Sequence, residues 1–134
     1  MAKLSYVEGI GEVYADNLRA VGVGSTESLL KAGCTPKGRK LLAESAGISE
    51  SLILEWVNHV DLFRIKGIGE EYADLLEEAG VDTVPELAQR NPENLYEKLV
   101  EVNQQKKLVR VLPSAVKVRF WVTQAKSMPR VVEY

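Results

Sequence analysis

Residues 66–81 read "KGIGEEYADLLEEAGV" and residues 8–23 read "EGIGEVYADNLRAVGV". From Gly9 to Val23 and from Gly67 to Val81 the stretches share ten of fifteen positions, where unrelated stretches would share about one, so the chain carries an internal repeat. In the first copy Tyr14, Ala15, Leu18 and Val21 recur at helical period and Gly22 stands where a left-handed C-cap belongs. The second copy repeats this with Tyr72, Ala73, Leu76 and Ala79, closed by Gly80.

Beyond the shared stretch the copies diverge but keep their punctuation. Each continues with a short helical pattern, an Xaa-Pro helix start at Thr35-Pro36 or Asn91-Pro92, a longer helix, and a final helix carrying Trp56 or Trp121. Gly47 ends one helix and Ser49 caps the next, whose Leu52, Ile53, Trp56, Val57 and Val60 form an apolar stripe. The only strand-like segment runs from Lys107 to Leu112, and a helix end or extended loop explains it equally well. The pattern predicts an all-α fold of about eight to ten short helices in one compact array. Residues 1–65 form the first repeat and residues 66–134 the second, with basic C-terminal helices and one shared core.

Composition narrows the function classes. Of 134 residues, 46% are apolar and 27% charged, an ordinary globular balance that excludes a disordered chain. The opening residues lack the apolar run of a signal peptide and no stretch approaches a membrane span, which predicts a cytoplasmic protein without membrane contact. Cys34 is the only cysteine and His59 the only histidine, so an internal disulfide and a Cys/His zinc cluster are excluded. With no nucleophile–base pair, metal cluster or nucleotide-binding loop, the expectation is a non-enzyme with no cofactor and no metal.

The Gly-Ile-Gly element itself has a specific chemistry. Glycine accepts positive φ and lets a second backbone approach, and the helix that opens directly after it presents unpaired N–H groups that favour anions. The pattern apolar-x-Gly-Ile-Gly-x-x-x-Ala-x-x-Leu resembles the helix-hairpin-helix motif of repair glycosylases, ligases, repair polymerases and excision nucleases. Both copies match it, at Gly9-Ile10-Gly11 with Ala15 and Leu18 and at Gly67-Ile68-Gly69 with Ala73 and Leu76. The whole chain also resembles an uncharacterised bacterial family of tandem helix-hairpin-helix proteins, a domain of unknown function. Paired motifs of this kind grip the sugar-phosphate backbone across the minor groove without reading sequence, so the resemblance implies double-stranded DNA as partner. A small lumenal subunit of photosystem II has the motif without binding DNA, so the resemblance also allows a purely structural role.

Charge separates the two copies. The first has Glu8 and Glu12 around its glycines, whereas the second has Arg64 and Lys66 before them and Glu70 and Glu71 after. Residues 66–97 hold two basic and nine acidic side chains, and residues 98–130 hold eight basic against Glu101 alone, so the net charge of −2 conceals a strong polarity. The candidate DNA-binding residues are therefore Arg64, Lys66, Gly67, Ile68, Gly69, Lys106, Lys107, Arg110, Lys117 and Arg119. Alternatively the basic helices pack against the acidic ones, within one molecule or between two. The loop at Lys37, Gly38, Arg39 and Lys40 is a smaller basic patch.

Two further segments have structural as well as functional readings. Residues 39–60 resemble a helix-turn-helix, but Glu50, Ser51 and Glu55 are poor readers of base edges. Trp56, Trp121, Tyr14 and Tyr72 fall on apolar stripes and are expected in the core, with Phe120-Trp121 a partial exception because Lys117 and Arg119 flank it. The function expected is a sequence-independent DNA-binding or DNA-associated module, alternatively a protein-interaction scaffold whose hairpins are structural, as a monomer or weak homo-oligomer.

Overall fold

Caps decide where the helices begin and end. In a computed structural model that describes residues 3–134, Ser25, Thr35, Ser49, Asn91 and Ser114 each accept a backbone N–H from the first turn of the helix they precede. The helices are α1 (Glu12–Ala20), α2 (Thr26–Gly33), α3 (Pro36–Ala46), α4 (Glu50–Leu62), α5 (Glu70–Glu78), α6 (Val84–Ala88), α7 (Pro92–Lys106) and α8 (Ala115–Lys126). A 3-10 turn at Leu4–Tyr6 precedes them, and there is no strand among the described residues. The fold is all-α, as the periodicity predicts.

The chain divides into two compact units. The first comprises the described residues up to Asp61 together with Val131–Tyr134, and the second Leu62–Arg130. In the first, α2 packs on α3 and α1 on α3, around Leu18, Leu29, Ile53, Trp56 and Val57. Gly22 and Gly47 take the left-handed conformation at φ +90° and +70°, closing α1 and α3 as their positions predict. The last four residues are tied to this unit: the Glu133 N–H donates to Cys34 O at 2.7 Å, and Arg39 donates to Glu133 O and Gly33 O. Arg39 is thereby buried, and the basic patch at residues 37–40 is not a loop but the first turn of α3, which loses its central cation to an internal structural role.

In the second unit α8 packs on α6 and α7, and α5 on α7. Their apolar faces enclose one core that includes Ile65, Ile68, Leu75, Leu76, Leu87, Leu95, Leu99, Val118 and Trp121. The segment after α7 is an irregular loop. Lys107 ends α7 in the left-handed conformation at φ 52°, and Asn103 then pins the chain by bonding both the N–H and the carbonyl of Val109. A side-chain amide satisfying both backbone groups replaces the ladder partner that a strand would need.

Candidate functional site

Both Gly-Ile-Gly corners are built the same way. In the second, the Ile68 N–H closes onto Ile65 O at 3.1 Å, Gly67 turns the chain at φ +98°, and Gly69 is the extended N-cap of α5, whose ladder begins with the Ala73 N–H donating to Gly69 O. In the first, the Ile10 N–H closes onto Val7 O at 3.1 Å, Gly9 lies at φ +93°, and Gly11 caps α1.

A buried indole lies behind each first glycine. A Cβ on Gly67 would meet Trp121 Nε1 at 3.0 Å, and one on Gly9 would meet Trp56 Nε1 at 3.3 Å. Each indole is covered in turn by a tyrosine ring, Tyr72 on Trp121 at 5.3 Å between centroids and Tyr14 on Trp56 at 5.1 Å. Both tryptophans are core residues as expected, while Tyr14 is exposed and Tyr72 half-buried, lids rather than core. The glycines are thus required by fold in both copies, before any ligand is considered.

The copies differ in what surrounds this shared frame. Matching Trp56 with Trp121 also matches the caps Ser49 and Ser114, and pairs Leu52 with Lys117, Glu55 with Phe120, and His59 with Gln124. Around the first corner the environment is acidic. Burial pushes the imidazole of His59 below its ordinary pKa, and the carboxylates of Glu55 and Glu8 act on it in the opposite sense. Around the second corner Gln124 accepts the Lys66 N–H at 2.8 Å, and the Lys117 ammonium sits 5.8 Å from the centre of the Tyr72 ring. The Tyr72 hydroxyl donates to Val111 O at 3.0 Å, bringing the loop that carries Arg110 to the first turn of α5.

The predicted site residues divide accordingly. Lys66, Arg110 and Lys117 are exposed around this corner, and among the described residues none of them enters an ion pair. Lys107 is also exposed, at the end of α7. Gly67 and Gly69 shape the turn, and Ile68 is buried beneath it. Arg64 donates to Pro129 O at 3.1 Å, bracing the chain beyond α8 rather than projecting from the corner. Lys106 is paired with Glu78 and Arg119 with Glu93, so charges from the acidic and basic segments meet inside this unit.

Gln124 and Tyr72, which position Lys66, Lys117 and Arg110, were not among the residues the sequence singled out as a site. Their roles depend on which helix face meets the turn. Among the described residues no cluster of three or more His, Cys, Asp or Glu is placed to hold a metal ion, and no helix is long and apolar enough to cross a membrane.

The model of a domain of unknown function (DUF4332) matches residues 8–128, from the residue before the first Gly-Ile-Gly to two residues past the end of α8, and the chain belongs to that family. No curated protein and no solved structure matches it.

Proposed function

We propose that this DUF4332 chain is a non-enzymatic, sequence-independent nucleic-acid-binding module of the bacterial cytoplasm, in which the corners are helix-hairpin-helix elements and the second grips the sugar-phosphate backbone of DNA. The observation that carries this reading is the contrast between two frames of the same geometry. Lys66, Arg110 and Lys117 flank the second, whereas Glu8 and Glu55 act at the first.

α5 opens after an N-cap glycine that has no side-chain acceptor, and the first-turn N–H groups of a helix favour a phosphate oxygen. Lys66, Arg110 and Lys117, which enter no ion pair among the described residues, supply the sequence-independent attraction. Arg64, Lys106 and Arg119, which the sequence also nominates, are engaged inside the unit.

With about three phosphate contacts the affinity should fall with salt at a log–log slope of about −2.7, from a dissociation constant between about 10⁻⁴ and 10⁻⁶ M. Fluorescence anisotropy of a labelled 20-base-pair duplex at several salt concentrations tests this. Lys66→Glu and Lys117→Glu should each weaken binding and flatten the slope by about one. Absence of binding at low salt, or binding insensitive to both substitutions, would refute the reading.

A second reading, a protein-interaction scaffold, is favoured by the carboxylates of Glu70 and Glu71 in the first turn of α5 and by the internal pairing of Lys106 and Arg119. A protein that remains monomeric, retains no partner in affinity capture and binds duplex with the expected salt slope would count against it.

A further inference from the structure

We propose that Phe120 is a stacking platform for an unpaired base, so that the second unit takes single-stranded nucleic acid in preference to paired duplex; this rests on the reading that the second corner holds phosphates. Phe120 is 52% exposed, although the adjacent Trp121 is wholly buried. Along α8, Lys117, Trp121 and Gln124 form the stripe that meets Tyr72, Gly67 and Lys66. At 100° per residue Phe120 projects roughly 60° from that stripe, one helical turn from both Lys117 and Gln124.

The aromatic face therefore stands beside the groups that would hold the backbone. Val116, one turn before it and 79% exposed, extends the apolar surface. Exposed aromatics beside unpaired cations are the recognition chemistry of single strands, whose bases are free to leave their own stack. A base inside a duplex is already stacked on both sides and cannot use such a ring without being unpaired.

The internal repeat supplies the control. Glu55 occupies the position of Phe120 in the first unit, with Leu52 in place of Lys117, so the same helix face there has neither platform nor cation. A core requirement common to both copies does not account for an exposed phenylalanine found in one of them.

Fluorescein-labelled dT12 and the dT12·dA12 duplex, titrated at one salt concentration with the full chain, test the assignment. The wild type should bind dT12 at least fivefold more tightly than the duplex. Phe120→Ala should weaken dT12 binding about tenfold while changing duplex binding less than twofold, and Phe120→Trp should restore it. Lys66→Glu should weaken both.

Equal affinity for the two oligonucleotides, or a Phe120→Ala variant unchanged on dT12, would overturn the stacking role while leaving the backbone-binding reading intact. Binding of neither oligonucleotide would overturn both. Self-association abolished by Phe120→Ala, in a chain that binds neither oligonucleotide, would assign the face to a second copy instead. Phe120 is outside the core, so the substituted chain is expected to fold, and an unchanged circular dichroism spectrum serves as the check.

Discussion

Replacing Gly67 with alanine tests whether the repeated glycine is set by the fold. The residue lies at φ +98°, where an L side chain is strained by about 1–2 kcal/mol, and its Cβ would stand 3.0 Å from Nε1 of a fully buried Trp121. Displacing a close-packed indole adds about 1–2 kcal/mol of overpacking, giving a destabilisation of about 2–4 kcal/mol. Gly9→Ala carries the same backbone strain with a looser 3.3 Å contact and should cost less. Gly11, an N-cap at φ −84° with nothing within 4 Å of an added Cβ, should lose no more than about 1 kcal/mol.

Urea unfolding followed by far-ultraviolet circular dichroism measures the series, so that both indoles can stay in place or be replaced without losing the signal. Trp121→Leu combined with Gly67→Ala should show coupling, because removing the indole removes the contact that alanine offends. A Gly67→Ala midpoint equal to that of Gly11→Ala, or strictly additive effects in the pair, would refute the steric argument.

Other expectations concern stability and charge. Arg39→Met should destabilise the first unit by about 2–3 kcal/mol, since it removes charge-assisted bonds to Gly33 O and Glu133 O, and limited proteolysis should then release residues 131–134 more quickly. Because burial holds the His59 pKa below that of an unfolded imidazole, about 6.5, the unfolded chain binds more protons below that pH. The stability of the first unit should therefore be fully present above about 6.5 and decline as pH falls, and the single histidine resonance should titrate below its free value in an NMR series. Lys106→Ala, which breaks an exposed pair with Glu78, should change stability by less than about 1 kcal/mol and leave nucleic-acid binding within twofold of wild type. A large affinity loss there would place Lys106 among the contacts.

Much of the architecture could be read because it rests on local signals. Thr35-Pro36, Asn91-Pro92, Gly22, Gly47 and Gly80 mark helix ends through caps and positive φ, which need no tertiary context. The repeat makes Trp56 and Trp121 equivalent in the sequence, and both are buried behind a Gly-Ile-Gly corner.

The surface was less legible because charge runs do not reveal their partners. Lys106 and Arg119 looked as available as Lys117, yet Glu78 and Glu93 face them across packed helices. Arg39 and Arg64 looked like surface cations and instead satisfy backbone carbonyls. Gln124 carried no signal of its own, since its use depends on the face of α8 that meets Lys66.

NMR chemical-shift mapping on an isotope-labelled chain tests the central claim, that the second corner alone binds nucleic acid. On addition of dT12 the account predicts shifts concentrated at Lys66–Tyr72, Arg110 and the Lys117–Gln124 face of α8, with Gly9–Tyr14 unmoved. Equal shifts at both corners, or movement confined to the first, would contradict it.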